Sequence, residues 1–204
     1  ARLASERVDA ELFGSESLQS HRRVVGLFEQ AHQGTLYFDE ICDLPVDTQG
    51  KIVRAVNEQR FRRVGGSTEV VVDVRVISAS SRDLAAEMSA GRLREDLYYR
   101  LGVVPLTMPP LVQRREDIPL LAKHFTAVVA KRLGVLPFKL GDEVLAALQG
   151  YDWPGNVRQM HNVIETMLIL APNERNEPVD LNLLPAEIHQ VVRSSNDSEM
   201  DTLM

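Results

Sequence analysis

Hydrophobic positions divide this chain into an alternating first part and a helical second part. Thr35-Leu36-Tyr37-Phe38 is a short apolar run that halts at Asp39-Glu40, the form of a buried strand ending in a polar turn. Ile52, Val53 and Val56 then share one face of a helix that gives out near Arg60. Positions 70–78 are β-branched and lie between Gly65-Gly66 and a serine cluster, which predicts a strand. A further helix is expected from about position 84 to 101. A last strand follows at Val103-Val104-Pro105-Leu106, ended by Pro109-Pro110. Strands alternating with helices predict an α/β fold with a parallel sheet.

Beyond position 111 the period changes. Ile118, Leu121, Ala122, Phe125, Val128 and Val129 keep the i, i+3, i+4, i+7 spacing of an amphipathic helix, and Gly134 is a good stop. Val144, Leu145 and Leu148 mark a shorter helix ended by Gly150. Val157, Met160, Ile164 and Leu168 mark a third, ended by Pro172-Asn173. Positions 181–188 add a final turn or two. Positions 193–204 are rich in Ser, Asp and Asn and read as a flexible linker. No internal repeat is visible.

Composition narrows the class. With 44% hydrophobic and 25% charged residues among 204, the chain is of ordinary globular type. No apolar run approaches the roughly 18 residues of a membrane span, and no secretory leader is visible. The chain opens with Ala1 inside a helical pattern, so it is expected to be a piece of a longer protein. The lone Cys42 excludes an internal disulfide and fits a reducing cytoplasm. A net charge of −6 without a dominant basic cluster argues against a non-specific nucleic-acid surface. His21-Arg22-Arg23 and Arg60-Phe61-Arg62-Arg63 are the densest basic spots, and both are expected to be solvated faces.

The chemistry begins at Gly34-Thr-Leu-Tyr-Phe-Asp-Glu40. Here an apolar strand delivers two adjacent carboxylates at its C-terminal end, where α/β sheets bind ligands. In a P-loop NTPase the first carboxylate holds the Mg²⁺ shell and the second is suited to orient the attacking water. A plain polar turn is the alternative. Around this motif lie, in order, Glu11-Leu-Phe-Gly14, Gly26-Leu-Phe-Glu-Gln-Ala31, Phe61-Arg-Arg-Val-Gly-Gly66, Val72-Asp-Val-Arg-Val-Ile77 and Arg82-Asp-Leu84. Next come Gly91-Arg-Leu-Arg-Glu-Asp-Leu-Tyr-Tyr-Arg-Leu101, Pro109-Pro-Leu111, Arg114-Arg-Glu-Asp-Ile118 and Trp153-Pro-Gly-Asn-Val-Arg158. Over about positions 11–187 this series resembles the central AAA+ domain of NtrC-family, sigma-54-type response regulators, and most closely the NtrX-like branch.

The resemblance implies roles. Asp39 and Glu40 look like the Walker B pair, with Asp39 the metal-side carboxylate. Arg94 and Arg100 stand where the family's arginine fingers stand. Leu93, Leu97 and Leu101 form an apolar stripe at helical spacing, which the two arginines flank. A finger supplied in trans contributes about 10³–10⁵ in rate; pairing with Glu95 and Asp96 is the structural alternative. Arg158 looks like the sensor II arginine, one turn into a helix that Pro154 helps to open. Ser81 occupies the sensor I position. His161 carries no family role and is expected to pack.

Three departures qualify the resemblance. The only Gly-Lys pair is Gly50-Lys51, followed by Ile52, so there is no Walker A motif; it is expected upstream of Ala1. The GAFTGA loop that engages sigma-54 is missing, since only positions 15–25 separate Gly14 from Gly26. Sensor I reads Ser80-Ser81-Arg82-Asp83-Leu84 where the family usually has Thr-Asn-Arg-Asp-Leu, and a serine hydroxyl has a shorter reach than an asparagine amide.

The expected architecture is therefore a partial AAA+ α/β subdomain at 1–111, a helical lid at 112–190 and a linker at 191–204. By resemblance the intact cytoplasmic protein takes ATP and Mg²⁺ and self-assembles as a ring or dimer. It would contact RNA polymerase, bind DNA through a helix-turn-helix domain and answer a sensor histidine kinase through a receiver domain, without a membrane. Two readings stay open: a nucleotide-dependent oligomerisation module, or an ATPase that remodels sigma-54 polymerase.

Overall fold

A computed structural model describes the backbone of residues 2–17, 22–171 and 178–189. They fall into two units, Ala1–Leu106 and Thr107–Met204. The first opens with helix α1 (Arg2–Phe13), the antiparallel strands β1 (Ser15–Ser17) and β2 (Arg22–Val24), and a single-turn helix α2 (Leu27–Gln30). Strand β3 (Gly34–Phe38) and helix α3 (Val46–Glu58) follow. A second antiparallel pair, β4 (Arg60–Arg62) and β5 (Glu69–Val71), precedes strand β6 (Val74–Ser78) and helices α4 (Leu84–Ser89) and α5 (Glu95–Leu101). The second unit is helical: α6 (Ile118–Leu133), α7 (Asp142–Gly150) and α8 (Asn156–Leu170).

The apolar run ending at Asp39 pairs in parallel with β6, from Gly34 opposite Val74 to Phe38 opposite Ser78. Alternation puts Leu36 and Phe38 into the core, while Tyr37 and Ile77 remain exposed. Helix α3 lays Ile52, Val53 and Ala55 against that core, and Leu93 and Leu97 close it from the α5 side. Phe13, Phe28, Phe38 and Phe61 form an aromatic cluster with ring centroids 5.4–6.0 Å apart.

Three expected elements differ from the reading of the pattern. The β-branched run at 70–78 is two strands: its start pairs antiparallel with β4, and after Val72 and Asp73 the rest pairs parallel with β3. The helix expected over 84–101 is broken at 90–94, where Gly91 takes φ +71°. Asp83 caps α4 by accepting from the Ala85 and Ala86 N–H groups, and α5 starts afresh after Arg94. Leu93 therefore lies in a turn and not on the α5 stripe, though it is buried. The strand expected at 103–106 is absent, and Val103, Val104 and Leu106 are 74–85% exposed. A strand needs a neighbour, and among the described residues β3 and β6 pair with each other and with no third strand.

In the second unit α6 packs on α8 through Ala122, Val129, Met160, Ile164 and Met167, with α7 adding Val144 and Leu148. Leu111 is fully buried in this core. Gly134 ends α6 in the left-handed conformation at φ +68°. Positions 181–188 hold a 3₁₀ turn, Leu181–Leu183, and a helical turn from 186. The proposed linker at 191–204 lies outside the described residues. Ile164 is completely buried, so Ile164→Ala is expected to destabilise this unit by about 2–5 kcal/mol. Denaturant unfolding followed by Trp153 fluorescence checks this; a loss under about 1 kcal/mol would contradict the packing.

Candidate functional site

The parallel pairing of β3 with β6 brings the chemistry of the first unit together. The ladder continues past the strands, with Ala79 N–H donating to Phe38 C=O at 2.8 Å and Ile41 N–H to Ala79 C=O at 3.0 Å. Asp39 and Glu40 thus emerge beside Ser80 and Ser81. Glu40 adopts φ +53°, rare for a residue with a Cβ and common at functional turns. That turn directs its carboxylate to the Ser81 backbone N–H, which donates to both oxygens at 3.2 and 3.0 Å. The Ser81 hydroxyl and N–H hold Glu40 below the usual glutamate range against partial desolvation, with help from Ser80 and the Arg82 charge. Asp39 accepts from the Tyr37 hydroxyl at 3.2 Å. Desolvation and the Asp39 and Glu40 charges hold that hydroxyl above its usual range.

A second layer was not legible in the sequence. Gln49 is fully buried on α3. Its Nε2 donates to Leu44 C=O at 2.9 Å and Arg92 C=O at 2.8 Å, while its Oε1 accepts from Arg94 N–H at 2.9 Å. It thereby ties the loop after Glu40 to the turn before α5. A polar residue three positions before Ile52 on the buried face of α3 is the one signal that marks it. Glu87 is also buried, and the Arg92 guanidinium grips both its oxygens at 2.8 Å. Arg92 and then Arg82, opposed by desolvation, lower its pKa from 4.5 to about 2. Arg82 bridges onward to Asp43, anchoring the segment after Ser81.

Arg94 and Arg100 sit at opposite ends of α5. Arg94 is the residue before its first turn, and its guanidinium lies over the α3 backbone at Gly50, where an added Cβ would be 3.6 Å away. It forms a bidentate pair with Asp96 at 2.9 and 2.8 Å, which is the structural alternative weighed for it. Arg100 donates to Val56 C=O at 3.2 Å. Both side chains are exposed.

In the second unit the Trp153–Arg158 motif makes a tight turn, with Trp153 at φ +52° and Asn156 at φ +50°. Trp153 is buried and donates from Nε1 to Leu148 C=O at 2.7 Å, while Asn156 Oδ1 accepts from Leu111 N–H at 2.7 Å. This fixes the start of α8 and leaves Arg158 exposed on its first turn. Arg158 has no hydrogen-bond or ion-pair partner among the described residues. His161 packs edge-on against Phe125 at 5.3 Å, in keeping with a packing role.

The depressed Glu40 pKa predicts a titration. The contact to Ser81 is complete above the ordinary value of 4.5 and is lost as pH falls through the lower folded value. The Ser81 amide resonance should therefore titrate with a midpoint below 4.5, and Glu40→Gln should abolish the transition. A midpoint at or above 4.5 would refute the contact.

Comparison with known proteins shows the family and the fold. Residues 1–107 match the model of the sigma-54 interaction domain, and residues 112–201 match that of an AAA+ ATPase lid domain. The nitrogen assimilation regulatory protein NtrX of Azorhizobium caulinodans is 46% identical over 192 residues, 94% of this chain and 42% of that protein. The DNA-binding transcriptional regulator NtrC of Escherichia coli is 40% identical over 98% of this chain and 43% of its own length. The crystal structure of NtrX from Brucella abortus in complex with ATP superposes with a TM-score of 0.81 at 45% identity, covering 90% of this chain and 40% of that one. The chain spans less than half the length of these relatives. No described helix is long and apolar enough to cross a membrane.

Proposed function

The chain belongs to the sigma-54 interaction domain family, and from that membership we propose that it is most of the nucleotide-binding central domain, with its lid, of an NtrX-like two-component transcription regulator. The observation that carries this reading is Asp39 and Glu40 at the carboxyl end of β3, against the serines that follow β6. Asp39 is suited to the metal side of the site. Its hard carboxylate oxygens have the Tyr37 hydroxyl as their side-chain neighbour, and Mg²⁺ at a nucleotide takes one or two carboxylates plus phosphate oxygens. When bound, Mg²⁺–ATP would supply the phosphoryl group and neutralise its charge. Glu40 would orient water, Ser81 would sense the phosphate end, and Arg158 would be the lid's phosphate-directed sensor II arginine, as the resemblance implies. Arg94 and Arg100 would act on a neighbouring subunit's nucleotide. The ATP-bound Brucella NtrX supports the choice of ligand.

In the intact cytoplasmic protein this domain, spanning 1–111 with its lid at 112–190, would self-assemble. A linker at 191–204 would lead to a helix-turn-helix DNA-binding domain, and a receiver domain would take the signal of a sensor histidine kinase. Output to RNA polymerase divides two readings. The eleven positions 15–25 between Gly14 and Gly26 carry no Phe-Thr pair, and strands β1 and β2 within them pair antiparallel. That favours transcription control through oligomerisation and DNA binding, without sigma-54 remodelling. The intact Asp39, Glu40, Arg94 and Arg100, and the 40% identity to NtrC, favour the second reading, an ATPase that remodels sigma-54 polymerase.

The proposal predicts that this chain alone, lacking a P-loop, shows no ATP turnover, while the full-length protein binds Mg²⁺–ATP. Titration with a fluorescent ATP analogue and phosphate-release assays check both. In the full-length protein Arg94→Ala or Arg100→Ala should leave folding intact. Either should lower turnover by about 10³-fold where turnover exists, or abolish nucleotide-dependent assembly in ultracentrifugation. Assembly and turnover both unchanged would remove the finger assignment. Open-complex formation in vitro that needs both ATP hydrolysis and sigma-54 holoenzyme would select the second reading.

A further inference from the structure

Strands β1 and β2, between Gly14 and Gly26, are held at one end by a buried arginine. Arg63, in the turn after β4, has a side chain only 5% exposed. Its Nε and one terminal nitrogen donate to a single Glu29 oxygen at 3.2 and 2.7 Å. The other Glu29 oxygen accepts from Arg23 at 2.5 Å. The remaining Arg63 nitrogen lies 3.8 Å from Glu16 Oε2, an atom that is buried without a hydrogen bond. Glu16 comes from β1, Arg23 from β2 and Glu29 from α2, so charges of alternating sign join three elements to the β4–β5 pair. Glu29 bears this out: burial raises its pKa, yet the bonds from Arg63 and Arg23 leave it below the usual value.

The backbone repeats the connection. Glu16 N–H donates to Val64 C=O at 2.9 Å and Val64 N–H to Gly14 C=O at 3.0 Å. So β1 is bonded to β2 on one side and to the chain after β4 on the other. Gly65, at φ +78°, lets that turn approach: an added Cβ would stand 2.7 Å from Glu16 C=O. At Gly66 it would stand 2.7 Å from Glu16 Oε2. The fit leaves no slack for the two strand pairs to slide past each other.

We propose that Arg63 is a positioning residue that clamps the β1–β2 strand pair to the β4–β5 strand pair, so that the two form one rigid surface. A buried pair is screened far less than a surface one, and losing one partner strands the other's charge. At the Arg63–Glu29 pair the clamp therefore has no low-cost open state.

Hydrogen exchange read by mass spectrometry tests the clamp. In the purified chain, Arg63→Met should raise exchange at the Glu16 and Val64 amides by about 10²-fold or more, with α3 and α8 unchanged. Unchanged protection at those two amides overturns the clamp. Arg63→Lys keeps the charge and loses the fork, so it should give a smaller rise at the same amides even if the methionine variant does not fold; no rise there also overturns it.

Discussion

The parallel pairing of β3 with β6 is the constraint from which the candidate site follows. Two parallel strands end at the same edge, so a register that sets Phe38 opposite Ser78 necessarily sets Asp39 and Glu40 beside Ser80 and Ser81. A slip of one residue would turn Leu36 and Phe38 out of the core and lift Tyr37 into it. The burial of that alternating pair therefore fixes the chemistry as firmly as any hydrogen bond in the site. The left-handed Glu40 completes the arrangement by turning the second carboxylate across to the neighbouring strand's loop.

Around that edge, polar groups inside the core set the positions of the outer residues. Gln49 binds two carbonyls and one N–H from segments that are otherwise loops. An unpaired buried amide is costly, so with all three bonds made it specifies one geometry for the turn carrying Arg94. Glu87 does the same for the segment after Ser81 through Arg92 and Arg82. The bonds from Gln49 to Arg92 and Arg94 join segments far apart in the chain, and local pattern does not announce them.

What the sequence made plain was what local periodicity encodes. The run ending at Asp39-Glu40, the faces of α3, α6, α7 and α8, and the stop at Gly134 all follow from side-chain spacing and single-residue conformational preference. The rest depends on partners. A β-branched run reads the same whether it serves one sheet or two, so the division at Val72-Asp73 was hidden. Val103-Val104-Pro105-Leu106 has strand composition, but a strand forms only beside another, and β3 and β6 leave it unpaired here. The short strand pairs show no alternation over three residues each, and it is Arg63 and Gly65-Gly66 that define them. Asp39, Glu40 and Ser81 are brought together in the first unit, whereas the lone exposed Arg158 belongs to the second.

The arginines of the chain differ in one respect that bears on how the domain works. Arg63 is buried and shared among carboxylates, so exchanging its partner would leave a charge stranded. Arg94 makes a bidentate pair with Asp96, but the pair is 41% and 47% exposed. Exposed pairs contribute only about 0–1 kcal/mol because water replaces either partner at little cost. An arginine held in this way is ordered and still available, and a phosphate carrying more charge than one carboxylate would compete well for it. Burial, more than bond length, therefore separates arginines that fix the fold from those free to change partners. By that measure Arg94 and Arg158, which is exposed and has no partner among the described residues, fall in the second class, and Arg63 in the first.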